Sequence, residues 1–539
     1  MPPPAASTLV EMMERRARDS PSRPAFVHAG RAHSYREVWQ DAGRFAAGLA
    51  EAGVGAGQRV VLALPNGPGF FTAFFGTQRA GAVPVPLDPG SGASRIAALG
   101  AVCGAVRVVL PDGAEELRAQ LAAARAARGA AVPPAVATVG ETASRGRPLP
   151  APEPADTALV QFTSGSTGEP KGVVLGHRQV LANLGQMTAG MEITAADVFV
   201  SWLPLCHDMG LVLMALVPFS LGAGLVLLPT RLTDVGAWPA AIAAHRGTFT
   251  AAPDFAWRLL LRAVRDPGRH DLGSLRVALN AAEPVRPETL RRFHRAFGID
   301  RVMVPGYGLA EATVGVSMQP PGTAPAVCRR GLVSIGRPFP GVTVEVIADG
   351  GPAAPGEVGE LVVESPALTS GYFGDPEATR DLFLRPRALR TGDLGFADGE
   401  GHLYVVGRRK NVILQGGRNL APQELEEAVE ELPFVRRAAA VGIDRGRAEG
   451  EQAFVFAELR KAAPPPEAVL AEMAGRAVAA VDERLGLRPG RVVLLAPRGL
   501  PLTPNGKVRH GALRDGWRDG SLVRSGAVLF PLPRHGGAP

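Results

Sequence analysis

The chain has 539 residues, a length that one hydrophobic core rarely organises, so we expect two or more domains. Hydrophobic residues make up 46% and charged residues 20%, which excludes a wholly disordered chain. The net charge of +7 is small for this length, and the arginines are spread along the chain without interleaved aromatic residues. This distribution disfavours the alternative of an Arg-rich nucleic-acid binder, so we expect no nucleic-acid partner.

The three cysteines, Cys103, Cys206 and Cys328, show no CxxC spacing, which excludes a disulfide framework and a cysteine metal site. The first 20 residues lack the apolar core of a signal peptide. We therefore expect a cytoplasmic protein.

The first third of the chain predicts strands alternating with helices. A capping box at 34–37 opens an amphipathic helix, and strands are predicted at 59–65 and 83–87 around a helix at 69–82. This order is typical of βαβ units and a mostly parallel sheet. The alternation resumes at residue 158 and continues to about residue 308.

The remainder of the chain changes character. Residues 333–363 are β-rich with Gly and Pro turns, which predicts a small barrel or sandwich. Beyond residue 410, helices at 424–431 and 467–485 flank a strand at 453–459 and predict a smaller α+β unit. We expect the tail at 521–539 to be disordered.

One apolar run, residues 210–229, approaches the length of a membrane span. Pro218, Gly222 and Gly224 interrupt it. A buried helix that passes into a buried strand explains the run better, so we expect no integral membrane span.

Lysine is rare in this chain, since only four of its 58 basic residues are lysines. Lys171, Lys410 and Lys507 lie in turn-like motifs, whereas Lys461 lies in an Ala/Pro-rich stretch. An ammonium group is a compact, rotatable charge that suits a moving phosphate better than the planar guanidinium. The pattern marks the first three as candidate functional residues.

A turn at 163–172 combines four hydroxyl residues and three glycines with Lys171, between an apolar strand and a predicted helix. Glycines let the backbone approach an anion, toward which amides and hydroxyls then point. The spacing is not that of a Walker A motif, and a flexible polar loop is the alternative. The predicted phosphate-binding residues are Thr163, Ser164, Gly165, Ser166, Thr167 and Gly168.

This turn and four later motifs, in the same order, resemble those of the adenylate-forming superfamily, which includes acyl-CoA synthetases, adenylation domains, firefly luciferase and fatty acyl-AMP ligases. The resemblance covers residues from about 5 to about 515. It implies an α/β fold with a large N-terminal domain (1–408) of doubly wound αβαβα subdomains plus a small β-barrel. A mobile α+β C-terminal domain (409–520) follows.

The segment 306–313 resembles the superfamily's adenine and metal turn. The resemblance implies that Tyr307 and Gly308 contact adenine and that Glu311 binds Mg²⁺ on the triphosphate of ATP. Alone, the segment would be an ordinary turn with a surface carboxylate. Upstream, Ala282, Glu283 and Pro284 match the strand end that lies along adenine, although a strand ended by proline is the alternative.

Further roles are implied only by the resemblance. Asp393 and Arg408 match the ribose site, and Lys410 matches the hinge of the C-terminal domain. Lys507 matches the lysine that bridges the substrate carboxylate and the α-phosphate. His207 matches a ring beside the acyl and phosphate sites, or it caps the buried helix after it. The implied catalytic residues are Lys171, His207, Lys410 and Lys507.

Three segments resemble fatty acyl-AMP ligases most closely: 201–210, Ala310 and 417–426. They imply activation of a carboxylic acid, with a separate carrier protein as acceptor. The insertion that such ligases carry after the adenine turn is short here, at 314–333, so transfer to free CoA is the alternative. A further alternative is a non-catalytic relative that only binds the adenylate. The predicted pocket segments, 212–217, 249–259 and 280–285, are mostly apolar, and no acidic residue except Asp254 is poised for an amino group, which favours an aliphatic acid.

Overall fold

The structure is a computed structural model. It describes residues 6–126, 135–144, 152–163, 170–230, 234–264, 266–415, 418–446, 450–461, 465–502 and 508–531.

The first part of the chain alternates helices and strands, as the sequence predicts. The capping box at Ser34 is present: its hydroxyl accepts from the amide of Glu37 at 3.2 Å, and its own amide donates to the Glu37 carboxylate at 2.7 Å. The elements are α1 (Leu9–Asp19), β1 (Pro24–His28), β2 (Arg31–Ser34), α2 (Tyr35–Glu51), β3 (Arg59–Ala63), α3 (Pro68–Arg79), β4 (Val83–Leu87), α4 (Ala93–Val102), β5 (Arg107–Leu110), α5 (Glu115–Ala126), β6 (Ala135–Thr138) and α6 (Val139–Thr142).

The second part continues the alternation and contains an eight-residue π-helix, Met209–Leu216. The other elements are β7 (Thr157–Thr163), β8 (Lys171–Gly176), α7 (His177–Gly190), β9 (Val198–Ser201), α8 (Val217–Leu221), β10 (Gly224–Leu227), α9 (Ala237–His245), β11 (Phe249–Ala252), α10 (Asp254–Ala263), β12 (Val277–Asn280), α11 (Pro287–Phe297), β13 (Met303–Gly308), β14 (Gly315–Met318) and β15 (Arg337–Pro338).

Two parallel sheets organise these elements. β3 to β6 form one in the order β4-β3-β5-β6. The larger has nine strands in the order β15-β14-β13-β12-β11-β9-β10-β1-β2, and its pairs from β13 to β1 are parallel. The predicted parallel sheet is therefore confirmed. The carboxyl ends of β9, β11, β12 and β13 lie along one edge, where open α/β sheets bind ligands.

A six-stranded antiparallel sheet, β17-β16-β18-β21-β20 with β22 on β21, supplies the predicted β-rich unit. A separate three-stranded sheet, β19-β8-β7, joins this region to the strands around Lys171. The elements are β16 (Thr343–Ala348), β17 (Gly351–Pro352), β18 (Gly359–Glu364), β19 (Gly371–Tyr372), α12 (Pro376–Leu382), β20 (Phe383–Arg385), β21 (Ala388–Ala397) and β22 (Leu403–Arg408).

The rest of the chain forms a smaller C-terminal domain around its own hydrophobic core. Its main sheet has the order β25-β26-β27-β28. The elements are β23 (Ile413–Gln415), β24 (Arg418–Leu420), α13 (Pro422–Glu430), β25 (Val435–Asp444), β26 (Glu451–Leu459), α14 (Glu467–Leu485), β27 (Arg491–Leu495), α15 (His510–Arg518), α16 (Ser521–Arg524) and β28 (Val528–Phe530).

The prediction of a disordered tail from residue 521 is wrong for its first ten residues. β28 pairs antiparallel with β27, and Val528 is buried. The strand is only three residues long, so its sequence carries no periodic signal, and tertiary contacts stabilise it: pairing with β27 and packing of its side chains against the core of the domain. Residues 532–539 lie outside the described part of the chain.

The apolar run at 210–229 forms the buried π-helix, α8 and β10, as expected for a buried helix that passes into a strand. Gly210 is required there, because a Cβ atom would lie 2.1 Å from the carbonyl oxygen of Pro204. Within the described residues, every helix is too short or too polar to cross a membrane.

Candidate functional site: a nucleotide cleft at the carboxyl edge of the large sheet

Tyr307, Asp393 and Arg408 meet in one hydrogen-bonded group. The Tyr307 hydroxyl donates to Asp393 Oδ2 at 2.6 Å, and Arg408 Nε lies 2.8 Å from Asp393 Oδ1. Asp393 and Arg408 face each other in the register of β21 and β22. Burial raises the pKa of Asp393, and the Arg408 guanidinium opposes that rise. The group presents a fixed, buried carboxylate next to an aromatic face.

Glu311, Tyr372 and Lys171 form a second group. The Tyr372 hydroxyl donates to Glu311 Oε1 at 2.7 Å, and Lys171 Nζ lies 4.8 Å from the centre of the Tyr372 ring. Burial and the neighbouring Glu311 carboxylate raise the pKa of Tyr372, so its hydroxyl stays protonated and donates. One tyrosine thus contacts a cation at the face of its ring and a hard carboxylate oxygen at its hydroxyl.

Local backbone constraints shape the turn that carries Glu311. A Cβ atom on Gly308 would lie 1.6 Å from the carbonyl oxygen of Val314, so only glycine fits. Thr313 has a φ of +68° and is held by a 2.7 Å hydrogen bond from its hydroxyl to the carbonyl of Ala367. Left-handed backbone at a non-glycine residue is costly and is found at functional sites more often than elsewhere.

Residues Ala282, Glu283 and Pro284 follow β12, and Tyr307 ends the adjacent strand β13. Because β12 and β13 are parallel, with Asn280 opposite Pro305, both segments emerge at the same edge of the sheet. Ala282 has a φ of +69°. The Glu283 carboxylate accepts a short hydrogen bond from the amide of Phe255 in the first turn of α10. The structure therefore brings these three residues to the edge that carries Tyr307.

His207 follows β9, whose carboxyl end lies along the same edge. Its carbonyl accepts from the amide of Leu211 at 2.8 Å, which places it at the start of the π-helix. The adjacent carbonyl of Cys206 accepts from Gln161 Nε2 at 2.6 Å, which ties the segment to β7. π-helical turns are frequent at functional sites.

Cys103 and Cys206 are not activated for covalent catalysis in this setting. Burial raises the pKa of Cys206 to about 12 and that of Cys103 to about 11. A thiol that stays protonated is a poor nucleophile.

Asp254, the acidic residue of the predicted pocket segments that was expected to be poised for an amino group, is only 1% exposed and has protein partners. Asn280 Nδ2 donates to its Oδ1 at 3.1 Å, and Arg258 Nε lies 3.1 Å from its Oδ2. These contacts engage the carboxylate and leave it unsuited to bind a substrate ammonium group.

The two domains meet through ion pairs that the sequence did not indicate. Glu430 at the end of α13 lies 3.1 Å from Arg258 Nη1 and 2.5 Å from Arg286 Nη1. A more exposed pair joins Glu424 to Arg330 at 3.3 Å, from the short segment after the adenine turn. We call Asp254, Arg258, Arg286 and Glu430 the inter-domain ionic cluster.

Lys410 lies in a short 3-10 turn, Arg409–Asn411, between β22 and β23. Burial, Arg408 and Arg514 lower its pKa. The segment therefore links the two domains directly after Arg408, where a hinge is predicted.

Several predicted residues can now be placed. The structure brings Lys171, Tyr307, Glu311, Asp393 and Arg408 into two adjoining groups, and Thr163 pairs with Lys171 across β7 and β8. Ser164, Gly165, Ser166, Thr167 and Gly168 lie outside the described residues, as does Lys507. Their roles stay predictions.

Sequence reasoning missed Tyr372. Its signal is a Gly-Tyr-Phe-Gly turn at 371–374 before a capped helix, which resembles many surface turns. Gly371 has a φ of +136°, and a Cβ atom there would lie 2.4 Å from the Thr379 side chain. This constraint becomes visible only once α12 is in place.

The residues present fit a magnesium ion bound with a nucleotide. Among the described residues, no group of three or more His, Cys, Asp or Glu side chains forms a metal site of its own. Mg²⁺ in phosphoryl-transfer sites is commonly held by one or two carboxylates together with substrate phosphates and water. Glu311, with one oxygen held by Tyr372, offers such a carboxylate.

The profile of the AMP-binding enzyme family matches residues 13–373. The sulfoacetate–CoA ligase of Cupriavidus necator is 33% identical over 487 residues, which cover 87% of this chain and 91% of that protein. The long-chain-fatty-acid–AMP ligase FadD28 of Mycobacterium tuberculosis is 30% identical over 523 residues, with 87% and 89% covered.

A solved structure from work on the fatty acyl-adenylate ligases of E. coli and L. pneumophila superimposes with a TM-score of 0.84 at 28% identity, covering 96% of this chain and 98% of that one. The resemblance inferred from the motifs is confirmed by the family match and by relatives that cover most of both chains. Together with the cleft that joins a buried carboxylate, an aromatic face and a lysine, this means that the chain belongs to the AMP-binding enzyme family and is an ATP-binding, adenylate-forming ligase.

Proposed function

We propose that this ligase activates an aliphatic carboxylic acid as acyl-AMP and transfers the acyl group to the phosphopantetheine thiol of a separate carrier protein. The observation that carries the proposal is that two groups, Tyr307 with Asp393 and Arg408, and Tyr372 with Glu311 and Lys171, lie close enough for the charge of Arg408 to act on Glu311 and Tyr372. The first group has the chemistry to bind a nucleoside, and the second has the chemistry to bind its phosphates.

In the first half-reaction, the substrate carboxylate attacks the α-phosphorus of ATP and pyrophosphate leaves. Two anions must approach each other, so the cleft has to neutralise charge. Asp393 would accept from the ribose hydroxyls while Tyr307 and Arg408 hold its carboxylate in place. Lys171 would neutralise charge on the departing pyrophosphate. Lys507 would lie between the substrate carboxylate and the α-phosphate. Glu311 would hold Mg²⁺, which offsets phosphate charge when bound.

In the second half-reaction, a thiol attacks the carbonyl carbon of the acyl-adenylate and AMP leaves. We propose that residues 409–520 rotate about Lys410 between the two steps. The rotation would withdraw Lys507 and admit the thiol, a gating motion of a known type.

Two observations support an aliphatic acid. The π-helix Met209–Leu216 is buried throughout and entirely apolar apart from its methionine sulfurs. Asp254, the carboxylate that could have selected an amino acid, is engaged by Asn280 and Arg258. The relative FadD28 is a long-chain-fatty-acid–AMP ligase, which agrees with this choice of substrate.

Transfer to free CoA is the second candidate, and one feature favours it. Only residues 319–336 separate β14 from β15, so the segment that restrains the C-terminal domain in acyl-AMP ligases is short. In this chain, however, Arg330 of that segment still contacts Glu424 of the C-terminal domain. The sulfoacetate–CoA ligase relative shows that CoA ligases also occur among similar chains.

The deciding experiment follows two products. Pyrophosphate release is measured across a panel of carboxylic acids of increasing chain length, with amino acids and sulfoacetate included. The best acid is then incubated with free CoA and with holo carrier protein, and thioester formation is followed for each. Thioester on the carrier alone supports the proposal, and thioester on CoA alone establishes the second candidate. No pyrophosphate release with any acid would favour the non-catalytic alternative.

A further inference from the structure

Tyr372 lies between two residues that the proposed mechanism uses separately. Its hydroxyl donates to Glu311 Oε1 at 2.7 Å, and Lys171 Nζ lies over its ring at 4.8 Å. Glu311 and Lys171 are 140 residues apart in sequence, and Tyr372 contacts both. A single side chain therefore links the carboxylate to the cation.

The fold holds Tyr372 firmly in this position. In the register of β19 and β8, Tyr372 pairs with Val173, two residues after Lys171. Its amide donates to Thr379 Oγ1 at 2.9 Å. The next amide, that of Phe373, donates to the carbonyl of Gly172 at 2.7 Å. The backbone on both sides of Tyr372 is thus tied down.

The turn that carries Glu311 is fastened to the same segment. The amide of Thr369 donates to the carbonyl of Glu311 at 2.8 Å, and the Thr369 hydroxyl donates to the carbonyl of Val174 at 2.6 Å. Strand β8, the 369–373 segment and the Glu311 turn therefore form one connected unit. The hydroxyl of Tyr372 adds the contact that reaches the Glu311 side chain itself.

From this geometry we propose that Tyr372 is a positioning residue for the magnesium-bound nucleotide. Its hydroxyl fixes the orientation of the Glu311 carboxylate, and its ring holds Lys171 above the place where the phosphates arrive. A glutamate side chain has several rotatable bonds, so a partner that immobilises one oxygen removes a cost of ion binding. In other proteins, residues that hydrogen-bond to a metal ligand orient that ligand in the same way. The inference rests on the proposed function, because it assumes that Glu311 and Lys171 serve the nucleotide.

The test substitutes Tyr372→Phe, which keeps the ring over Lys171 and removes only the hydroxyl. Binding of ATP is measured by calorimetry in EDTA and again over a range of Mg²⁺ concentrations. We expect ATP binding in EDTA to match that of the wild type, while the gain in affinity produced by Mg²⁺ falls by about 10- to 100-fold. Tyr372→Leu, which also removes the ring, should weaken ATP binding in EDTA as well.

A matched control is present in the same chain. Tyr404 donates to Asp398 Oδ2 at 3.1 Å in the antiparallel sheet, so Tyr404→Phe removes the same kind of hydrogen bond away from Lys171 and Glu311. It should leave the Mg²⁺ effect unchanged. In a Glu311→Gln background, adding Tyr372→Phe should have little further effect on the Mg²⁺ dependence, since both changes act on one interaction.

Three results would overturn the inference: an unchanged Mg²⁺ effect in Tyr372→Phe, an equal loss in Tyr404→Phe, or a Tyr372→Phe protein that does not fold. The last would assign the hydroxyl a structural role. Failure of the proposed function is measured separately, because the wild-type protein would then release no pyrophosphate with any acid, whatever the effect of Mg²⁺ on ATP binding by the variants.

Discussion

The inter-domain ionic cluster and the proposed nucleotide site around Lys171, Glu311 and Asp393 both contain charged residues. They differ in whether protein side chains balance those charges. In the cluster, Glu430 and Asp254 face Arg258 and Arg286, so two negative and two positive charges balance inside the protein. In the proposed nucleotide site, Lys171 lies over an aromatic ring, and no carboxylate of the described residues forms an ion pair with it. Charges that balance internally hold structure together, whereas a cation placed over a ring is ready for an incoming anion.

The largest effect is expected from Glu430→Ala, which breaks the cluster. Glu430 is 8% exposed, and its removal leaves two half-buried arginines with only Asp254 opposite them. Breaking a buried pair from one side costs about 3–5 kcal/mol. Urea unfolding would measure the loss.

The neighbouring residue provides the control for this prediction. Glu431 pairs with Arg484 and is 75% exposed, so Glu431→Ala should cost far less. Equal losses for the two variants would show that burial does not distinguish the cluster from a surface pair.

Lys507→Ala tests the cleft. Removing a charge that stabilises the transition state should slow pyrophosphate release by about 10²- to 10³-fold. Transfer from supplied acyl-AMP to the thiol should persist, because Lys507 is proposed to act in the first half-reaction alone. Lys461→Ala, which removes an exposed lysine, is the control. A comparable loss in both half-reactions would contradict the division of roles.

His177 extends the comparison to a buried imidazole, on which burial outweighs the opposing effect of the Asp156 carboxylate. Its Nδ1 accepts from the amide of Leu9 at 3.1 Å, and burial lowers its pKa from 6.5 to about 4. The folded state therefore resists protonation, and stability is lost as the pH falls from 6.5 towards 4. Between pH 7 and pH 5 the loss should be about 2 kcal/mol.

His177→Asn keeps an acceptor for Leu9 but cannot titrate. Urea unfolding of both proteins at pH 7 and pH 5 should show a smaller decrease for the variant. The same decrease in both would assign the pH dependence to other groups.

Tyr307→Phe makes a smaller change in the cleft. It removes the 2.6 Å hydrogen bond to Asp393 while Arg408 remains. Hydrogen bonds to charged groups contribute about 1.5–3 kcal/mol, so we expect ATP binding to weaken by about tenfold or more. Calorimetry would measure it, and an unchanged dissociation constant would separate Tyr307 from the ribose site.

The smallest effect is expected from Arg330→Ala. Its pair with Glu424 is 39% exposed on the arginine side, and such pairs contribute about 0–1 kcal/mol. The change in unfolding free energy should be well below that of Glu430→Ala. A rise in thioester formed on free CoA would indicate that this pair, rather than the cluster, restrains the C-terminal domain.

Much of the architecture is local in origin, and the sequence determined it. The alternation of apolar strands and amphipathic helices predicts the parallel sheets, and the bounds of β4 (Val83–Leu87) and α14 (Glu467–Leu485) coincide with the predicted ranges. The resemblance of the motifs also singled out Tyr307, Glu311, Asp393 and Arg408 as candidates, because each belongs to a short motif whose residues are close in sequence.

Tertiary structure alone decided which distant residues meet. Glu430 lies 172 residues from Arg258 and 144 from Arg286, and Tyr372 lies 61 residues from Glu311. Such contacts depend on strand register and on how the two domains pack, and neither leaves a periodic pattern in the chain. The same holds for Asp254, which the sequence marks as an available carboxylate and which the fold engages with Asn280 and Arg258.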